Sequence, residues 1–171
     1  MREMHVLAAS IALAYPGFHE AKALEPAASF VAHKRTIVWC ADSNRAWASF
    51  VGQRYPSGSG PADDVAGSAD IGGRQLWLVR VVCKSLAYGV QKAPPRKLYV
   101  SVAPSVEALT HEAIHVRGET DEGATDCDAM HEMPRVAVKF FHVVPGRRLR
   151  ALMAAAWKWH KGGPANYQTV C

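Results

Sequence analysis

HEAIHVRGETDEGATDC, residues 111–127, is the stretch on which the reading of this 171-residue chain turns. Two histidines stand four apart, with a glutamate directly after the first. Four residues advance an α-helix by slightly more than one turn, so both imidazoles leave one face at the spacing that chelates a single ion. Glu112 lies about a quarter turn away, beside such an ion rather than on it. There it can take a proton from a metal-bound water and pass it to a leaving amine. Zinc brings the pKa of that water near neutrality, so a carboxylate base suffices. With eight histidines in the chain, chance produces H-E-x-x-H with a probability of only roughly 0.02, so the motif is read as a site.

The flanks support a helix. Pro104-Ser105 precedes an apolar-periodic run in which Val106, Leu109, Ala113 and Val116 share one face. With Ser105 as N-cap and Gly118 as stop, the pattern predicts a helix over 105–117. A second helix begins near Thr120 or Asp121, with Ala124, Cys127 and Ala129 available for packing. Pro134 either ends it or starts a new helix carrying Val136, Val138, Phe140 and Phe141. Pro145-Gly146 then introduces a basic helix, 147–160, closed by Gly162-Gly163-Pro164.

Upstream the signals are shorter. Residues 24–35 read as irregular, and Thr36–Trp39 as a strand ending at Cys40. Ser43 caps a helical turn through Trp47 and Phe50. Residues 55–73, rich in Gly, Pro, Ser and Asp, read as one long loop. Gln75–Val82 is a strand candidate, Cys83–Tyr88 a helix start, Ala93–Arg96 a breaker and Leu98–Val102 a further strand candidate. The expected fold class is α+β, in which a short sheet packs on the H-E-x-x-H helix, followed by a ligand helix and C-terminal helices.

A catalytic zinc wants a third protein ligand and an open fourth position. At this point the chain resembles the zincin metallopeptidases, over residues 105–130 and in two ways. Glu122-x-x-x-Asp126 is similar to the second half of the gluzincin pattern. That resemblance implies a zinc-binding glutamate on the following helix and an aspartate one turn later that orients a histidine ligand. His111-Glu112-x-x-His115-x-x-Gly118-x-x-Asp121 is instead similar to the snapalysin-like form of the metzincin pattern, which implies Asp121 as third ligand. Met130 and Met133 follow too soon for the methionine turn of metzincins, whereas Glu122, Asp126 and Ala129 fall on one helical face. The expected set is therefore His111, His115 and Glu122 on one catalytic Zn2+, with Asp126 behind a histidine, Glu112 as general base and Asp121 as the alternative ligand; Glu119 ranks below both. The resemblance implies hydrolysis of a peptide or protein substrate. A non-catalytic zinc-binding protein, or a cytosolic zincin that clips a regulatory partner, is the alternative. His142, His160 and Tyr167 are candidates for stabilising an oxyanion, although no spacing selects among them. His131-Glu132 repeats the dipeptide, but Arg135 stands where a second histidine would be.

Charge is uneven. Glu107–Glu132 holds eight acids against Arg117 alone, while Met133–Cys171 holds seven bases and no acid. The plain reading is a solvated basic helix near an acidic site. Trp157 and Trp159 interleave with lysines there, but two alternating tryptophans on a helix more often mean one buried and one exposed, so nucleic acid is not expected as a partner.

The N-terminus has the three-part layout of an export signal: Arg2, an apolar run Val6–Tyr15, a Pro16-Gly17 break and small residues at Ala21 and Ala23. The expected organisation is a signal peptide over 1–23 and a single domain over 24–171. The apolar run is too short to span a bilayer, and no other segment is long or apolar enough to cross one. Four dispersed cysteines with no C-x-x-C pair argue against a zinc finger and, in an exported chain, for two disulfides. Three pairings are possible; Cys40–Cys83 with Cys127–Cys171 is expected, since a C-terminal cysteine best serves as a staple for a loose tail. Secretion follows from this reading; a retained N-terminus and reduced cysteines would place the chain in the cytoplasm.

Overall fold

A computed structural model describes residues 15–55, 66–162 and 171. Among them the chain is α+β, with six α-helices and one four-stranded sheet. The order is β1 (Phe18–Glu20), α1 (Glu25–Ala32), β2 (Ile37–Ala41), α2 (Asn44–Arg54), β3 (Gly67–Ala69), β4 (Gln75–Leu78), α3 (Arg80–Gln91), α4 (Tyr99–Arg117), α5 (Glu122–Phe140) and α6 (Arg147–Gly162). In the sheet the strands lie β1-β2-β4-β3, with β2 and β4 parallel and both edge strands antiparallel to their neighbours.

The period-two alternation of the two central strands splits the core into two layers. Val38, Cys40, Leu76 and Leu78 face α1, α3 and α4. Trp39, Ala41 and Trp77 face the other way, into an aromatic cluster with Phe18, Trp47, Phe50 and Tyr15 beneath α2. Ser43 caps α2 as expected, its Oγ accepting from Ala46 N. Cys40–Cys83 ties β2 to α3, and Cys127–Cys171 ties α5 to the chain end, which is the expected pairing.

Helix α4 is the axle of the molecule, packed against α1, α3, α5, α6 and the β3–β4 hairpin. It begins six residues before the position its apolar period indicates. Leu98–Val102, expected as a strand, is a 3-10 turn (Arg96–Leu98) followed by the first turn of α4. Ser105 is therefore not a cap; its Oγ donates to the Ser101 carbonyl one turn back. Pro104 sits within the second turn, where the backbone bond it forgoes is that of Val100, at the exposed start of the helix. Because partners surround α4 on every side, its burial is not confined to one stripe.

Other boundaries also move. Residues 25–32, expected as irregular, form α1, with Pro26 in its first turn. The Gln75–Val82 strand stops at Leu78, and Val81 and Val82 belong to α3. Within the expected loop 55–73 lies β3; residues 56–65 fall outside the described set. Helix α5 runs unbroken through Pro134 to Phe140. Met130 and Met133 are buried in it rather than in a turn. Strand β1 lies inside the expected signal segment and pairs with β2, so the sheet uses residues that cleavage after Ala23 removes.

The basic helix α6 turns Leu152, Ala156 and His160 inward and leaves Arg147, Arg148, Arg150, Lys158 and Lys161 exposed. None of these five bases makes an ion pair among the described residues, which matches a solvated face. Trp159 is exposed and Trp157 half-buried against His160. Among the described residues no helix is long and apolar enough to cross a membrane.

Candidate metal centre

The last turns of α4, the turn at Gly118 and the start of α5 bring His111, His115 and Glu122 together. Gly118 adopts φ of 122°, a conformation few side chains tolerate, and its N–H closes α4 on the Ile114 and His115 carbonyls. The chain then reverses within four residues. Asp121 caps α5, its Oδ1 accepting from Ala124 N. Glu119 turns its carboxylate onto the Thr120 and Asp121 N–H groups, which hold it below the usual carboxylate range. Both alternatives for the third acidic position are thus engaged in the turn itself, and Glu122, the first residue of α5, is the acid that faces the histidines.

Each imidazole is oriented from behind. His111 Nδ1 lies 2.7 Å from Asp126 Oδ1, and His115 Nδ1 lies 2.8 Å from the Glu119 carbonyl. A carbonyl only accepts, so His115 donates from Nδ1; the buried carboxylate fixes His111 in the same way. Both Nε2 atoms are then left with lone pairs pointing forward. They stand 3.0 Å apart, and Glu122 Oε2 lies 3.1 Å from one and 3.4 Å from the other. Three electron-pair donors at this separation repel unless a cation or a proton sits among them. Ligand atoms placed tetrahedrally at zinc bond lengths are about 3.3 Å from one another, so the group fits an ion of that size. His111, His115 and Glu122 form a group that can hold a metal ion.

The electrostatics agree. Burial works against a charge on His111, but the Asp126 and Glu122 carboxylates outweigh it and push the imidazole up to about 10. His115 is raised for the same balance of reasons, burial opposing and Glu122 with the Glu119 carbonyl prevailing. Glu122, hydrogen-bonded by both imidazoles, is held far below the usual carboxylate range. The cluster attracts positive charge. Its open side is that of Glu122, about half exposed, whereas both histidines are buried.

Glu112 points from α4 toward the edge strand. A Cβ at Gly67 would stand 2.5 Å from its Cγ and 2.7 Å from Oε1, so only a glycine there leaves room for the carboxyl. Burial raises the Glu112 pKa, and the two neighbouring histidines pull it back. Nothing among the described residues hydrogen-bonds this carboxyl, which leaves it free to exchange protons. The strand that carries Gly67 is held firmly. Gly72 N, at the tip of the β3–β4 hairpin, donates to the His115 carbonyl at 3.0 Å, and Arg54 Nη2 donates to the Ala69 carbonyl at 2.7 Å while its guanidinium lies over Trp77.

The other candidates lie elsewhere. His142 is exposed and bonds the Val90 carbonyl, and His131 is exposed on α5 with Glu132 paired to Arg135. His160 is buried against Glu107 and cannot reach a substrate, while Tyr167 lies outside the described residues. Two residues near the centre carried no motif signal of their own: Gly67, whose role depends on a contact across the fold, and Glu107, one turn before His111 on α4.

No protein family, no curated protein and no solved structure matches this chain.

Proposed function

We propose that the chain is a zinc-dependent peptidase of zincin type, with His111, His115 and Glu122 as ligands and Glu112 as general base. The observation that carries this reading is the convergence of two Nε2 lone pairs and one carboxylate oxygen within 3.4 Å, each imidazole locked from behind. A structural site has no use for the remaining feature, a buried carboxyl beside the ligands with no hydrogen-bond partner of its own among the described residues.

Bound zinc supplies Lewis acidity, polarising a carbonyl and making a water acidic near neutral pH. The protein's own residues do the rest. Asp126 and the Glu119 carbonyl keep both histidines in the tautomer that binds. Glu112 accepts the water proton and returns it to the leaving amine, with burial raising its pKa from the ordinary carboxylate value. Gly67 keeps β3 close, so that Glu112 stays within reach of the substrate's carbonyl rather than turning to solvent. Two disulfides and the N-terminal apolar run favour export.

A second reading is a metal-binding protein without catalysis, which would use the same three ligands and have no need of Glu112 as a base. Glu112→Gln separates the two readings. Metal content should be unchanged, and hydrolysis of a casein or mixed-peptide substrate should fall by roughly a thousandfold. Equal activity in both forms would remove Glu112 from the mechanism; none in either would favour the second reading.

A further inference from the structure

Behind the candidate metal centre lies a second polar cluster that the proposed chemistry does not use. Glu107 stands one helical turn before His111 on α4, and His160 comes from the last turns of α6. His160 Nδ1 lies 3.3 Å from Glu107 Oε1, and both side chains are buried. The Glu107 carboxyl also feels the charge of Asp126 and, more weakly, that of His111. Three polar atoms in this cluster are fully buried with no hydrogen-bond partner among the described residues: Glu107 Oε2, Asp126 Oδ2 and His160 Nε2. Two are the outer oxygens of neighbouring carboxyls. Such pairs are kept in protein interiors only when a proton or a water joins them, because an isolated buried carboxylate is costly.

We propose that Glu107 and His160 are positioning residues of the metal centre, acting through Asp126. The His160–Glu107 pair holds the outer oxygen of Asp126 through one water. Asp126 in turn fixes the His111 ring, and so α6 is coupled to metal affinity. The coupling runs in the order His160, Glu107, Asp126, His111, with groups drawn from α6, α4, α5 and α4; its two ends are the His160–Glu107 and Asp126–His111 contacts. It rests on the metal-binding reading above, but not on catalysis. An anchor of this kind also accounts for a histidine and a glutamate being buried together where two apolar residues would pack more cheaply.

The test measures affinity for Zn2+ and Co2+ by competition with a chelator, together with the melting temperature of the metal-free protein. Asp126→Asn is expected to weaken binding by 10–100-fold, the range typical of outer-shell partners of ligating histidines. Glu107→Leu is expected to weaken it by roughly tenfold, and Glu107→Gln, which can still donate to Asp126, by less than about threefold. His160→Leu should fall between them, and His160→Asn, which keeps a donor toward Glu107, should restore most of the loss. In the Asp126→Asn background Glu107→Leu should cost nothing further, because its path has been cut; a merely structural role predicts additive losses. If Glu107→Leu does not fold, the His160 pair reads the same coupling. Unchanged affinity in the Glu107 and His160 variants alongside a weakened Asp126→Asn overturns this proposal and leaves the metal site standing, as do additive losses. Failure of the unaltered protein to bind either ion overturns both.

Discussion

The metal-free centre holds a proton where the proposed ion belongs, and this makes metal affinity steeply dependent on pH. His111 is raised from 6.5 to about 10, first against the burial that opposes its charge and then by the Asp126 and Glu122 carboxylates. In the folded, metal-free protein the ring is therefore protonated throughout the neutral range. A metal ion must displace that proton, and each displaced proton changes the apparent affinity tenfold per pH unit. His115, also raised, contributes part of a second proton, while Glu122 is already ionised and contributes none. The apparent Zn2+ affinity should thus rise by at least about 100-fold from pH 6 to pH 8. The metal-free protein behaves in the opposite sense. A raised histidine stabilises the fold fully below its unfolded pKa of about 6.5, and this contribution is lost as pH climbs through about 10. Metal-free melting temperature should therefore decline from pH 6.5 upward while the increment caused by zinc grows. The assays are competition against a chelator of known proton affinity and thermal melts at matched ionic strength. An affinity that is the same at pH 6 and pH 8 would refute the argument, since it would mean that neither imidazole holds a proton to be displaced.

Three further outcomes follow from packing and chain connectivity. Gly67→Ala, at an ordinary φ, places a methyl where the Glu112 carboxyl now lies; hydrolysis should drop by about 100-fold with zinc content unchanged, because only the base is displaced. Opening Cys127–Cys171, which closes a span of 44 residues, should cost up to about 4 kcal/mol by chain entropy, read as the difference in urea midpoint between oxidised and Cys171→Ser protein. Removing residues 1–23 strips β1 from β2 and uncovers the aromatic layer around Phe18; a loss of at least about 2 kcal/mol is expected in the same assay, and equal stability would show that β1 is dispensable and a cut after Ala23 tolerable.

The sequence shows the candidate metal centre more clearly than the fold that carries it, and the reason is locality. His111, His115, the glycine stop, Glu122 and Asp126 lie within sixteen residues, and their geometry follows from helix periodicity and one tight turn. The ranking of Glu122 above Asp121 rests on the face shared with Asp126; in the structure Asp121 caps α5, and Glu122 lies beside the two histidines. Where tertiary contacts decide, local pattern misleads. Val100 and Val102 alternate with Ser101 and Ala103 as a strand would, yet they open the most central helix, because α4 is packed on all sides and needs no apolar stripe. Residues 25–32 lack a strong amphipathic face and still form α1, since the sheet and α4 bury Ala27, Ala28, Val31 and Ala32.

The same distinction governs the N-terminus. An apolar run before Pro16-Gly17 satisfies an export signal and a core strand equally well, because both ask only for hydrophobic residues near a break. Pairing separates them. Phe18, His19 and Glu20 lie in register with Ala41, Cys40 and Trp39, and Ala21 N donates to the Val38 carbonyl at 2.7 Å. Tyr15 meets Trp39 and Trp77 edge-to-face. A segment with these partners belongs to the domain wherever the protein is delivered. Export and retention of β1 are compatible only if processing occurs upstream of Phe18. Intact mass of the protein recovered from outside its host should accordingly correspond to a chain beginning no later than Phe18. A mature chain beginning at Leu24 would mean that the sheet is completed without β1, and the aromatic layer beneath α2 would need another cover.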